Sequence, residues 1–350
     1  MAKLYQESGF IDFDRCEKLA STLNIMIGAR NAGKTYGALL HFLGRAPIVF
    51  MRTAKTQIDL VFSENLSPFN SINNDTGSCY VAEKTKGSDI VRIIDDPPNG
   101  NRKLCGYCLA LSQVGATRGF NLDDVEILLY DEFVRHPGES TRFADKQFTM
   151  YADIVFTLNR AREIQGRPAI QQWLLGNSDD LTNDILQELG VVNVILSMKE
   201  RKENYRKLPD REISIFLLDD SPVAARLHSE GILSKIFKGT SYLDMAYANA
   251  FIHDDFSDCR PQDLHGYNPV FIWDRIAVYK HKRKDLFYIR EVVQGTNFNG
   301  IPSYTGDNRG TINAREDHAW LYFCWLECLI TFDSYATKAR FMALFDIQKT

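Results

Sequence analysis

Residues 28–35 read GARNAGKT: a glycine, four residues, a second glycine, a lysine and a threonine. That spacing suits a chain that wraps phosphate. Gly28 and Gly33 let backbone N–H groups close around phosphate oxygens, Lys34 can reach the β and γ oxygens, and the Thr35 hydroxyl can bind Mg²⁺. Arg30, inside the loop, suits either a phosphate contact or a solvent- or neighbour-facing position. The apolar run LNIMI precedes the loop and a helical pattern over 34–43 follows it, which is the context the phosphate reading requires. ATP with Mg²⁺ is the expected cofactor.

A second constellation lies about a hundred residues on. VEILLYDEF, residues 125–133, is an apolar strand-like run that ends in two adjacent carboxylates. Open α/β sheets place ligand-binding groups at the carboxyl ends of their strands, so Asp131 is expected to hold Mg²⁺ and Glu132 to orient and deprotonate an attacking water. Asn177, in LLGNSDD, can sense a terminal phosphate or simply cap a helix. Arg160 and Arg162, in NRARE, can neutralise charge at a neighbouring subunit's γ-phosphate or form a salt-bridged helix end. Arg118, in ATRGFN, can face nucleotide or DNA.

The elements that must position these residues follow an α/β rhythm. Parallel strands are expected at LNIMI (23–27), IVFM (48–51), VEILLY (125–130), IQQWLL (170–175) and VVNVIL (191–196), with the apolar run ISIFLL after them. Runs at 79–82, 90–94 and 104–111, separated by Lys/Gly and by DDPPNGN, read as an antiparallel insertion. Helices are expected at 34–43, about 143–163 and 183–189. Beyond a charged stretch, MKERKENYRKLPDRE, residues 219–250 read as short linking helices. The last hundred residues contain two strand-like runs, VFIWDRIAVY and LFYIREVV, joined by KHKRKD, and then an aromatic-rich helical region. The divisions expected are 1–218, 219–250 and 251–350.

Bulk properties narrow the classes. At 350 residues the chain suits one large and one smaller domain. A formal charge of −4 gives no global field for nucleic acid, so DNA contact would need a local basic patch or a ring that concentrates Lys and Arg in one channel. Seven scattered cysteines fit a reducing compartment better than a disulfide framework, and Cys105 with Cys108 suits buried packing better than zinc. No apolar stretch approaches the roughly 20 residues needed to span a bilayer, so no membrane role is expected and the cytoplasm of a host cell is the expected location.

NIMIGARNAGKTYGALL, IVFMRTAK, ATRGFNLDDVEILLYDEF, NRARE and LLGNS resemble, in order and spacing, viral DNA-packaging ATPases of the phi-29 type, relatives of the large terminase subunits. The resemblance is specific over roughly residues 20–200. It implies an α/β P-loop NTPase domain of the ASCE/RecA-like class with a mostly parallel sheet, a helical linker and a smaller α+β RNase H-like C-terminal domain. It also implies a ring motor, a homopentamer, docked on the portal or connector of a prohead and driving double-stranded DNA inward, with a packaging RNA as a further candidate partner. Lys34 and Thr35 match the phosphate-loop pair, Asp131 and Glu132 the magnesium and catalytic carboxylates, and Arg160 the trans-acting arginine. Arg118 matches a basic residue at the subunit boundary and Lys55 a DNA-contacting lysine.

An active nuclease needs clustered carboxylates to hold two metal ions. Asp254, Asp255, Asp274 and Asp307 form no convincing trio, so the C-terminal domain is expected to be vestigial, with the basic segment 280–284 as a contact surface. Two other readings compete: a terminase with a working nuclease, and a non-motor assembly protein that binds nucleotide to order a ring.

Overall fold

In the computed structural model, the described residues are 2–28, 32–85, 90–117, 122–134, 146–160, 162, 164–177, 181, 183–218, 221–238, 258–292 and 298–347. Arg30, Arg118, Asp254 and Asp255 lie outside them. The chain divides into two units, Met1–Leu189 with Ile195–Phe251, and Gly190–Val194 with Ile252–Thr350.

Continuous runs of Ile, Leu, Val and Phe make strands buried on both faces, which is what a parallel sheet covered by helices requires. The first unit holds β1 (Leu23–Gly28), β2 (Ile48–Arg52), β3 (Tyr80–Lys84), β4 (Val91–Asp95), β5 (Lys103–Ala110), β6 (Ile127–Asp131), β7 (Gln171–Gly176), β8 (Tyr205–Leu208) and β9 (Ile213–Leu218). They form one sheet in the order β3-β4-β5-β2-β6-β7-β1-β9-β8. The six central strands from β5 to β9 are parallel, and β3, β4 and β8 are antiparallel additions at the edges. Every residue of β1 and β9 is buried. The helices are α1 (Phe13–Leu19), α2 (Lys34–Phe42), α3 (Lys55–Asp59), α4 (Phe69–Thr76), α5 (Gln147–Leu158), α6 (Asp184–Glu188), α7 (Val192–Glu200), α8 (Pro222–Glu230) and α9 (Ile232–Ile236). A core of Phe13, Phe42, Phe50, Trp173 and Phe216 joins α1 and α2 to the sheet.

Three sequence expectations are corrected. VVNVIL is helical, not a strand: Val192, Ile195 and Met198 recur every three residues as the buried face of α7. The strand beside β1 is ISIFLL. Residues 104–111 are not wholly an insertion, because β5 pairs parallel with β2 as well as antiparallel with β4. VFIWDRIAVY is two strands, since the chain reverses at Asp274, whose φ of 49° is left-handed.

The second unit contains β10 (Tyr267–Trp273), β11 (Ile276–His281), β12 (Phe287–Glu291), β13 (Ser303–Tyr304) and β14 (Ile330–Phe332). β10, β11 and β12 form an antiparallel meander, with β13 parallel to β10 and β14 parallel to β12. Three helices, α10 (Asn308–Asp317), α11 (Trp320–Leu326) and α12 (Tyr335–Leu344), complete it, so the aromatic C-terminal region is helical except for β14. No helix among the described residues is long and apolar enough to cross a membrane.

Candidate active site

Parallel strands end together, so the residues just beyond β1, β2, β6 and β7 meet along one edge of the sheet. β1 delivers Gly28, where an added Cβ would lie 2.4 Å from the Leu218 side chain on β9. Only glycine allows that approach. The chain re-enters the described region at Ala32 and turns into α2 through Gly33, whose φ of 82° belongs to the left-handed region that favours glycine. No side chain caps α2 at Gly33. Its first backbone N–H groups and the positive end of its dipole are therefore suited to an anion.

Lys34 is 8% exposed, unusually low for lysine, and its ammonium donates to the Gly28 carbonyl at 2.8 Å and to Asn177 Oδ1 at 3.1 Å. Asn177 follows the last residue of β7, so the strand between β1 and β6 brings it to the lysine. The Thr35 hydroxyl donates to Asp131 Oδ1 at 2.7 Å. Asp131 closes β6 and is 2% exposed. Sequence positions 34, 35, 131 and 177 thus form one contact cluster.

A buried carboxylate needs compensation. Asp131 gets it from Arg52, the last residue of β2, which donates through Nη2 at 2.8 Å and Nε at 3.2 Å to Asp131 Oδ2. The same guanidinium lies 3.6 Å from Glu132 Oε2 and over the Phe50 ring at 5.6 Å. Successive strand side chains point to opposite faces, so Asp131 and Glu132 would diverge in an extended chain. Glu132 instead has φ 54°, and this left-handed turn leaves both carboxylates beside one arginine. The backbone beyond is braced: Gln147 Nε2 and Asn183 Nδ2 both donate to the Phe133 carbonyl, at 2.6 and 3.1 Å. Gln147 also reaches the Tyr130 hydroxyl, which bonds Thr53 Oγ1.

Arg52 was not among the residues the sequence singled out. Its signal was position alone, a charge at the carboxyl end of a strand in an open sheet. Lys55, which was singled out, is exposed in the first turn of α3, three residues further on.

Arg160 stands apart. It is exposed in the turn after α5, and that turn is bonded near the opposite ends of the strands, through Arg162 to the Val125 carbonyl and through Asn159 to the Ile170 N–H. Asp131 lies six residues beyond Val125, about 20 Å away in extended backbone. The turn that carries Arg160 is therefore anchored near the strand ends remote from Asp131.

Beside Gly33 is a cavity of about 540 Å³ lined by Phe10, Tyr36 and Leu40 and by the ionisable Asp14, His41, Arg45 and Asp75. An added Cβ at Gly33 would lie 3.0 Å from the Phe10 ring. Apolar walls with a few polar groups suit a flat heterocycle.

The residues present fit a magnesium-bound polyphosphate. One hydroxyl and one carboxylate converge at 2.7 Å, an ammonium lies buried nearby, and the helix beside them starts without a cap.

Comparison with known proteins follows this geometry. The family described as Podovirus DNA encapsidation protein (Gp16) matches residues 8–296. The phi-28 gp11 DNA packaging motor superposes with a TM-score of 0.64 at 14% identity, over 100% of both chains. The bacteriophage phi-29 viral genome packaging motor assembly gives a TM-score of 0.62 at 16% identity, over 97% of this chain and 99% of that one. The N-terminal domain of the phi29 DNA packaging ATPase gives 0.47 at 18% identity, over 61% and 97%. No curated protein matches. The first two likenesses show a shared mixed α/β fold across the whole chain.

Proposed function

This chain belongs to the podovirus DNA encapsidation protein family; from that premise we propose that it is the subunit of a viral DNA-packaging motor that hydrolyses ATP. The observation that carries the reading is the single cluster of Lys34, Thr35, Asp131 and Asn177 at the strand ends, with Glu132 one residue beyond it.

In this reading Gly28–Thr35 is a phosphate loop. Gly33 and the start of α2 bind the β and γ phosphates through backbone N–H groups, and Lys34 spans them from its place beside Asn177. Thr35 and Asp131 are the residues that hold Mg²⁺, which when bound neutralises charge on the phosphate oxygens. Glu132 accepts the proton of the attacking water, and its left-handed turn keeps the carboxylate beside Arg52 with Asp131. Asn177 reports the terminal phosphate to β7. The cavity beside Gly33 takes the base, with Phe10 and Tyr36 as its apolar walls.

The exposure of Arg160 on a turn anchored near the opposite ends of the strands supports a ring in which each subunit lends this arginine to the next. Translocated double-stranded DNA, a prohead with its portal, a pentameric ring, a packaging RNA and assembly in the host cytoplasm complete the proposal. Arg118 and Lys55 are its candidate boundary and DNA contacts.

The C-terminal meander with a parallel strand beside β10 supports an RNase H-like fold without nuclease activity. Asp274 is engaged by Arg340 at 3.0 Å, and Asp307 accepts from Gly310 N as the N-cap of α10, which holds its carboxyl below the usual range. Each of these carboxylates thus serves a structural contact within the unit.

The reading is tested with Lys34→Ala. Nucleotide-dependent turnover is expected to fall by about 10³ while the fold, followed by circular dichroism, is retained. Turnover that survives the substitution would remove this site from the reaction.

A further inference from the structure

The turn that carries Arg160 is held by an unusual residue. Arg162 is 3% exposed, yet its guanidinium is bonded to backbone carbonyls, Nη1 to Val125 at 2.6 Å and Nε to Pro168 at 2.9 Å. Burial lowers its pKa, and the Glu126 and Asp123 carboxylates act on it only at a distance, in the opposite sense. Burying a guanidinium is costly, and spending its hydrogen bonds on two backbone carbonyls points to a demand on geometry. Two neighbours serve the same turn. Asn159 Oδ1 accepts from the Ile170 N–H at 2.9 Å, and Arg167 Nη2 donates to the Asp123 carbonyl at 2.7 Å. Val125 leads into β6, which ends at Asp131, and Ile170 leads into β7, which ends beside Asn177. One braced turn therefore grips the starts of the two strands whose ends enter the candidate active site.

We propose that Arg162 is a positioning residue for Arg160: it fixes the turn that offers Arg160 to the neighbouring subunit, and it ties that turn to β6. A displacement of Asp131 and Glu132 in one subunit then moves the arginine presented to the next. Hydrolysis in one subunit is thereby coupled to hydrolysis in its neighbour through a stiff strand, a contiguous hydrogen-bonded path. The proposal rests on Arg160 acting in trans.

The test uses the full chain assembled on proheads, with ATP turnover as the readout. Arg162→Lys keeps the charge, but one ammonium cannot span both carbonyls. Its kcat is expected to fall about tenfold with KM for ATP unchanged within about twofold, since no residue of its own site is altered. Mixed with Glu132→Gln subunits, it should regain turnover, because those subunits supply an intact arginine turn to its intact carboxylates. Mixed with Arg160→Ala subunits it should not, both being defective donors. Arg160→Ala mixed with Glu132→Gln is the control. No recovery there would refute the trans arginine itself. Recovery there, together with wild-type turnover in Arg162→Lys or no recovery in its mixture with Glu132→Gln, would overturn the role of Arg162 alone. Asn159→Ala removes the acceptor for Ile170 N–H and should fall in the same complementation group. It serves if Arg162→Lys does not fold.

Discussion

Replacing Arg52 with alanine should expose how far the candidate active site depends on a residue outside any recognisable motif. Asp131 is almost wholly buried, and its Oδ2 accepts two hydrogen bonds from this guanidinium. Breaking a buried pair by removing one partner costs about 3–5 kcal/mol. Here the loss should be smaller, because Thr35 still donates to Oδ1 and because Arg52, 17% exposed in its side chain, leaves a path for water. About 2 kcal/mol remains, which for a unit of this size lowers Tm by about 4–8 °C. Thermal melts of the nucleotide-free protein measure it directly. Adding Mg²⁺ at millimolar concentration should recover more of the loss in Arg52→Ala than it adds to wild type, since the orphaned carboxylate is the better cation site. Arg52→Lys should fall between them, a single ammonium replacing a forked donor. A variant that melts within about 1 °C of wild type and ignores Mg²⁺ would refute the argument.

Gly33→Ala places a Cβ in a left-handed conformation and against the Phe10 ring, so a loss of about 1–2 kcal/mol and weaker nucleotide binding are expected by melting and by titration with a fluorescent ATP analogue. His318 stacks on Phe271 at 3.7 Å, and burial lowers its pKa from the ordinary 6.5. The neutral ring is favoured on folding, so stability is full above about pH 6.5 and declines as pH falls through that value, which tryptophan fluorescence across pH 5–8 would follow; a flat profile would contradict it. Plasmid DNA with Mg²⁺ or Mn²⁺ should remain uncut, and cleavage lost in Asp274→Ala would restore the nuclease reading.

How much of this was legible differs by residue. Lys34 and Thr35 announce themselves because strand, loop and helix fall in one contiguous stretch, and Asp131 because a strand ending in two carboxylates gains meaning beside a phosphate loop. Their meeting with Asn177 depends on β7 lying between β1 and β6, which is a matter of topology and no local pattern specifies it. Arg52 stayed hidden for the same reason: a single arginine after IVFM looks identical whether it faces water or a buried aspartate. VVNVIL misled because a six-residue β-branched run suits a strand and a buried helix face equally, and only the packing of Val192, Ile195 and Met198 decides. The reversal at Asp274–Arg275 carries neither glycine nor proline, so VFIWDRIAVY reads as one strand. Of the Asn-Arg-Ala-Arg-Glu segment, the sequence offered two arginines as equals. Burial separates them into one that is exposed and one that is locked to the sheet.

The most direct test of the central claim is DNA packaging itself. Proheads, genomic DNA and ATP are combined with wild-type protein or with Glu132→Gln, and the DNA protected from added nuclease is measured. Protection that requires ATP and disappears with Glu132→Gln, while the variant still binds nucleotide, is the predicted result. Protection by Glu132→Gln equal to wild type would show that this site does not drive translocation.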